Sequence, residues 1–422
     1  MNSSPGAVAP TLCVAEAERE RWQAIVVGGG PAGASCAAEL AARGIRTLLL
    51  DRQQIPRAKV CGCCLSRLAI AELRGLARTP AGVGLNGLPV APLVSVQLLH
   101  QGRAASLSLP GGGVLSRETL DPALVRAAIA AGAHWLPESR VTRVDEAPAG
   151  GRSREVSLSL SHERVCLRRT VAAEYVVWAT GLGGQVPFAA GPSRVPAGGS
   201  VARRSRIGVG VIVAAGAVGI PVGHLMMAIA DDGYGGIVQL EDGRLDLAAA
   251  LNPASLSRGA DPALALITLM TKAAGPEFVT PAFRAEVLAA VVRATPPLTR
   301  RAALVAGVSG RILRVGDAAG YVEPFTGEGI GWALAGGRLL AEALAPRPLV
   351  AGEFMPCPAT VAAAYSASYR SFLGSPHRRC QRVAGMLRRP AAVAAAVSVA
   401  RFAPWIASRA VPAVVGTGAT SS

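Results

Sequence analysis

The sequence predicts an α/β chain. It has a Rossmann-like dinucleotide-binding domain assembled from discontinuous segments, an inserted antiparallel sheet that forms an α+β part, and a helical C-terminus. Three observations predict this. Ala24 to Arg52 reads strand, glycine turn, helix, strand. A second glycine-rich stretch, Arg314 to Leu344, lies far down the chain and also opens from a strand into a helix. Between the two run short alternating segments punctuated by turn residues, the pattern of an antiparallel sheet. The expected division gives 22–92, 114–185 and 305–345 to the nucleotide domain, and 93–113 with 186–304 to the inserted sheet. Residues 346–422 form the C-terminal helical region, and 1–21 are expected as a disordered lead-in.

The first stretch is justified element by element. Ala24–Val27 is a short apolar run suited to a buried parallel strand. Gly28, Gly30 and Gly33 follow in G-x-G-x-x-G spacing. They serve a tight turn, close approach to a pyrophosphate, and close helix–strand packing. From Ala32 onward the helix amides would face the phosphates. Gly44 ends the helix as a C′ glycine. Thr47–Leu50 is the second strand, and Asp51, followed by Arg52, stands where a carboxylate can accept a ribose hydroxyl. The competing reading is a glycine-rich turn with no ligand. The motif alone does not separate NAD from FAD.

Beyond Asp51, Gln53–Gly62 has no periodicity and reads as loop, with a helix expected over Ser66–Ala77. Val94–Leu99 and Ala104–Leu109 flank a Gln101-Gly102 turn as a hairpin, and Gly111–Gly113 is expected to break the chain. A helix follows over Asp121–Ala131, with Pro122 at its first position. Trp135–Val144 reads as one strand, Glu155–Leu160 with Val165–Thr170 as a hairpin, and Tyr175–Ala179 as a separate buried strand. Ile207–Ala214, Leu225–Ala230, Gly236–Leu240 and Leu245–Leu251 are sheet strands. Pro262–Ala273 and Pro281–Arg293 are helices. Ile312–Val315 is a strand leading to Gly316, and Gly329–Leu344 is a helix. Gly208–Ala230 lacks Asp, Glu, Lys and Arg and is long enough to span a bilayer, but its glycines and Pro221 favour two buried strands around a turn.

The chain has 422 residues, 51% of them hydrophobic, with 43 Lys and Arg against 27 acids for a formal +16. That balance favours anionic partners. Aromatics are 4% and no nucleic-acid-binding motif is present, so no nucleic-acid partner is expected. The eight cysteines are scattered apart from one cluster, which fits a reducing, cytoplasmic compartment rather than a disulfide framework.

The stretch RVGDAAGYVEPFTGEGIGWALAGGRLLAEAL resembles the C-terminal FAD motif of flavoproteins with the p-hydroxybenzoate hydroxylase fold, and its PFTGEGI resembles the geranylgeranyl reductase branch. The resemblance implies bound FAD. Gly316 and Asp317 would meet the ribityl or ribose hydroxyls, and Pro324, Gly327, Gly329 and Ile330 the flavin. AKVCGCCLS resembles the loop after the second strand, implicating Lys59, Cys61 and Gly62, although Cys63 replaces the second glycine of that pattern. Arg117 with Asp121 resembles the R-x-x-x-D helix start, Val141 an adenine-side strand position, and Thr180-Gly181 the A-x-G turn. Where single-component aromatic hydroxylases carry Asp-Gly this chain has Thr180-Gly181-Leu182-Gly183-Gly184, and the W-x-W-x-I-P segment of flavin halogenases is absent.

The resemblance implies an FAD-dependent oxidoreductase moving hydride to or from a hydrophobic, prenyl-like or polyketide-like substrate, as a C=C reductase. The alternatives are an FAD-dependent monooxygenase and a non-catalytic FAD-binding redox sensor. The catalytic group is left open between the candidates Cys61 and Tyr234. For Cys61, Cys63 and Cys64 a metal site lacks a second ligand pair, which leaves a redox or acid role for Cys61, or packing. His224 reads as a core histidine and Glu328 as a residue oriented by its turn. No second G-x-G-x-x-G follows a strand, so electrons are expected from an external donor, NAD(P)H or a redox protein. After Glu353 the chain has no acid but eight arginines (370, 378, 379, 382, 388, 389, 401, 409), with Phe402, Trp405 and Ile406 among them. This suggests peripheral contact with an anionic membrane surface on its inner face. A packed helical layer with solvated arginines is the alternative.

Overall fold

A computed structural model of the chain describes residues 6–146, 155–162, 165–188, 200–256, 260–323, 325, 327–349, 353 and 355–407. The described helices are α1 (Val14–Arg19), α2 (Pro31–Ala42), α3 (Arg67–Ala77), α4 (Arg117–Ala130), α5 (Pro262–Ala274), α6 (Pro281–Ala289), α7 (Gly329–Leu344), α8 (Pro358–Met386) and α9 (Pro390–Phe402).

The first sheet is built on Trp22–Val27. This strand pairs in parallel with Thr47–Leu50 on one side and with the end of Val165–Trp178 on the other. Ile312–Arg314 extends the parallel set beyond Val165–Trp178, and His134–Leu136 extends it beyond Thr47–Leu50. Strands buried on both faces must be apolar throughout, which is why Ala24–Val27 and Leu48–Leu50 read as unbroken hydrophobic runs. α2, α4 and α7 cover one face around Leu40, Leu124 and Leu340. The antiparallel strands Ser139–Glu146 and Val156–His162 lie over the other with Trp178, Leu158 and Leu160.

The second sheet has the order Arg293–Pro297, Ile207–Val213, Leu245–Leu251, Gly233–Gln239, His224–Ala230, Ala91–His100, Arg103–Val114, Cys64–Leu65. Its pairings are antiparallel except for His224–Ala230 with Ala91–His100. Alternation divides its faces. Leu245, Leu247 and Leu251 pack beneath α5 and α6, while Met227, Tyr234 and Ala250 face the other way, toward α9.

Several expectations are corrected. Residues 6–20 are not a disordered lead-in: Val8 is buried, its N–H donates to Ile55 O, and its carbonyl accepts from Trp135 Nε1 at 3.2 Å. Two tryptophan N–H groups explain the docking, because Trp22 Nε1 also needs the Ala17 carbonyl, at 2.9 Å. Gly111–Gly113 does not break its strand, since Arg103–Val114 runs through it. At Gly113 a Cβ would meet Val90 Cγ1 at 2.4 Å, so glycine marks close approach here. α4 starts at Arg117 with Ser116 as N-cap, its hydroxyl accepting from Thr119 N, so Pro122 lies inside the helix. Trp135–Val144 is two strands separated at Glu138, whose φ is +56°. Val165–Thr170 and Tyr175–Ala179 are instead one strand, Val165–Trp178. α6 ends at Ala289, and Arg293–Pro297 is an edge strand, the position in a sheet where prolines are tolerated. Gly208–Ala230 contains two strands that are not neighbours in the sheet. Among the described residues no single helix is long and apolar enough to cross a membrane; only α8 with α9, bent by 104°, meets the length and composition together.

Candidate active site

A cavity of about 1000 Å³ lies between the two sheets. Its nucleotide-domain wall starts at the first glycine turn, where the three glycines behave differently. Gly28 has φ +118°, and a Cβ there would stand 2.3 Å from Ala179 O. A Cβ on Gly33 would stand 1.8 Å from Gly28 O, so Gly33 serves packing rather than the cavity. A Cβ on Gly30 would meet only an Arg117 nitrogen at 3.7 Å, so this edge is open. Gly30 is the N-cap of α2 and supplies no side-chain cap, which leaves the first-turn amides toward the cavity. α7 likewise starts on the same cavity without a side-chain cap hydrogen bond. Two positive helix ends therefore converge on one space.

The structure brings most of the other sequence-predicted residues to this wall. Ala32, Asp51, Arg52, Lys59, Cys61, Gly62, Arg117, Val141, Thr180, Gly181, Asp317, Gly327, Gly329, Ile330 and, opposite, Tyr234 line it. Gly316 does not: its φ is +61°, and a Cβ would press on Ala32 Cβ at 2.7 Å, so it packs the turn against α2. Pro324 lies outside the described residues. His224 is neither core nor cavity lining; it is half-buried at a strand start, with Nδ1 3.1 Å from Val222 O. Glu328 is buried at the N-cap of α7.

Asp51 serves the protein as well as the cavity. Its Oδ2 accepts from Gly29 N at 2.7 Å, and its Oδ1 accepts from Gln53 N at 2.9 Å and pairs with Arg57. Oδ2, with one bond accepted, retains acceptor capacity for a hydroxyl. Arg57 was missed from sequence because nothing in its spacing ties it to Asp51. Asp317 sits where burial pushes its carboxyl up to about 6, with Arg117, Lys59 and Arg300 holding back part of the rise. Arg117 is fixed by a bidentate pair with Asp121, at 2.7 and 2.8 Å.

The opposite wall is apolar: Leu225, Met227 and Tyr234 from the second sheet, with Leu298 just after its edge strand and Phe325 from the segment before α7. Tyr234 meets Phe325 edge-on at 5.2 Å, and the Arg206 guanidinium lies 5.2 Å over its ring. Burial, with Glu323 nearby, holds the phenol well above its usual range, so it stays protonated. Behind it Glu323, fully buried, accepts from Arg206 at 3.3 Å and from Arg388 at 2.8 Å. This pair of contacts fastens the α8–α9 junction to the site. Sequence reading missed it, and counted Arg388 among surface arginines, because its three residues come from distant segments.

Comparisons with known proteins agree with this geometry. A family model described as an FAD binding domain matches residues 21–211. The menaquinone reductase of Mycobacterium tuberculosis is 30% identical in an alignment 361 residues long that covers 77% of this chain and 77% of that one. Among solved structures, a geranylgeranyl bacteriochlorophyll reductase-like protein from Thermoplasma acidophilum is similar at TM-score 0.67 and 17% identity, covering 95% of this chain and 97% of that one. A flavoprotein/dehydrogenase from Cytophaga hutchinsonii is similar at TM-score 0.67 and 12% identity, covering 88% and 86%.

Proposed function

The chain belongs to the FAD-dependent oxidoreductases, in the family that includes the menaquinone reductase of Mycobacterium tuberculosis, and from that premise we propose that it reduces a carbon–carbon double bond of a hydrophobic, prenyl-like or polyketide-like substrate. The residues present fit FAD: the cavity is open at Gly30, and two helix N-termini without side-chain caps meet in it. The α2 amides would hold the pyrophosphate, Asp51 and Arg52 a ribose, and Val141 the adenine. Asp317 would hold the ribityl chain, and Lys59, Cys61, Gly62, Gly327, Gly329 and Ile330 the flavin ring. Bound FAD supplies two-electron hydride chemistry. The chain's own groups orient the substrate and exclude water. Leu225, Met227, Leu298 and Phe325 take up an apolar chain, and Tyr234 keeps a proton on its phenol oxygen beside it.

One observation carries the reading: an amide-rich, charged wall and an apolar wall face each other across one cavity. The relative's name makes an isoprenoid quinone the first compound to try. With the flavin reduced anaerobically, the product should be heavier by two hydrogens. Incorporation of labelled oxygen under air would turn the reading to a monooxygenase, and a flavin unchanged by every substrate and reductant would favour a non-catalytic redox protein. Electrons are proposed to come from an external donor, NAD(P)H or a redox protein.

Peripheral contact with an anionic membrane, from the cytoplasmic side, is also proposed. Phe402, Trp405 and Ile406 are 79%, 62% and 45% exposed. Arg382 on α8, Arg389 at the N-cap of α9 and Arg401 on α9 are exposed, and the chain has no acid after Glu353 to oppose them. Arg388 takes no part, being committed to Glu323.

A further inference from the structure

The loop between Arg57 and Leu65 carries Cys61, Cys63 and Cys64, and it crosses the cavity face of the second sheet, with Val60 Cγ1 3.1 Å from where a Cβ of Gly210 would be. The sulfurs are not equivalent. All three residues line the cavity, Cys61 and Cys64 half-buried and Cys63 buried, and their electrostatics differ. The neighbouring Cys63 thiol first, and then the Arg117 charge, hold the Cys61 thiol below its ordinary range against the effect of burial. Cys63 is buried, with Sγ 3.9 Å from the Cys61 carbonyl, and the bond to Cys61 together with burial pushes its thiol well up. Burial likewise pushes the Cys64 thiol up.

Two further observations set Cys61 and Cys63 apart. Cys63 has φ +50°, a backbone conformation that favours glycine, so the chain keeps a thiol at a conformational cost. Beneath it Asp246 is 4% exposed, and its Oδ2 has no hydrogen-bond partner. Period-two alternation puts Asp246 on the cavity face with Ala248 and Ala250, opposite Leu245 and Leu247. Burial, then the charge on Cys61, raises this carboxyl well above its usual range, so it stands ready as a buried acid.

We propose that Cys61 and Cys63 form a peroxide-sensitive dithiol at the floor of the cavity, with Cys61 taking the oxidation and Cys63 closing the disulfide that resolves it. The Cys61 thiolate attacks hydrogen peroxide. An S–O bond forms, the O–O bond breaks, sulfur gives up two electrons, and the departing hydroxide takes the Asp246 proton to become water. Cys63 sulfur then attacks Cys61 sulfur, returning its own proton to Asp246. The S–S bond forms, and the S–O bond breaks with hydroxide leaving to solvent. Thiolate, thiol and peroxide thus give disulfide, one water and one hydroxide. Alpha carbons two residues apart are within disulfide reach. The spacer can turn, because a Cβ on Gly62 would meet nothing within 4 Å. A small dithiol would reverse the bond by exchange.

The test is a peptide map of the holoprotein after brief treatment with hydrogen peroxide. Trypsin releases Val60–Arg67, which carries all three thiols. It should return lighter by two hydrogens, linked Cys61 to Cys63, with Cys64 alone left to alkylate, and it should recover three thiols in dithiothreitol. Cys63→Gly suits the φ and should fold; in it dimedone should label Cys61 and no link should form. Cys64→Ser should link like the parent chain. Three alkylatable thiols after peroxide, a link to Cys64, or dimedone on Cys64 in Cys63→Gly would each overturn the proposal. The readout is a peptide mass, so failure of the reductase reading leaves it standing.

Discussion

At Gly28 the backbone has φ +118° and Ala179 O stands 2.3 Å from any Cβ, so alanine there has to move two strands. Gly28→Ala should cost about 3 kcal/mol or more and yield protein with little bound flavin, read as melting temperature and as absorbance at the flavin band per chain. Asp317 makes a pH prediction. Its carboxyl, at 3.8 in the unfolded chain, is raised to about 6 by burial. Between those values the folded apoprotein holds more protons than the unfolded chain. Stability therefore falls as pH rises through this window, and the penalty is complete above it. Asp317→Asn should make the flavin-free protein more stable at neutral pH by about 3 kcal/mol, lose that advantage below pH 4, and retain FAD poorly. A difference in melting temperature that does not change between pH 4 and 6 would contradict the assignment. Gly28, Gly30 and Gly33 were legible because steric demands act through spacing alone. Asp246 was not, because a lone acid in an alternating strand reads as its solvent side until a loop is laid over it.

Among elements, the α8–α9 junction is held by the weakest sequence signal and a strong local contact. Glu323→Ala would leave Arg206 buried without its carboxylate, which should cost about 3–5 kcal/mol in denaturant unfolding. Arg388→Ala removes the half-exposed partner only. It should cost less, and should show as faster proteolysis near Arg388 and Arg389 with the sheet still protected. Equal loss in both variants would mean that the junction and the sheet unfold as one unit. Element types were readable wherever a period was clean, as in α2, α7 and the strand Leu245–Leu251. The misses share a cause. Arg293–Pro297 carries two prolines and is a strand only because Ile207–Val213 offers it an edge. Val165–Trp178 is continuous because its first half pairs antiparallel and its second half parallel with different partners.

The discontinuous nucleotide domain was legible at the scale of the whole molecule, since its two glycine signatures are local even though their meeting is not. The basic, aromatic end makes a prediction at the same scale. The protein should float with vesicles containing anionic lipid and be released by high salt. Replacing Arg382, Arg389 and Arg401 together with alanine should weaken binding by about two orders of magnitude, at about 1 kcal/mol for each arginine. Flotation that is unaffected by salt or by these changes would exclude the electrostatic mode. The contact between α2 and α7 has a consequence of another kind. A Cβ on Gly337 would stand 2.3 Å from Ser35 Oγ and 2.6 Å from Ala32 O, so the two helices seat backbone against backbone. Roughly 290 residues separate the end of α2 from the start of α7. At about 5–20 residues per second a ribosome needs about 15–60 s to bridge them. Throughout that interval α2 lacks α7, the helix its small-residue face seats against, although α4 and Val165–Trp178 are made during it. Birth of this protein therefore has a waiting period that chaperones must cover, and a messenger truncated before the codon for Gly329 should deliver only aggregate.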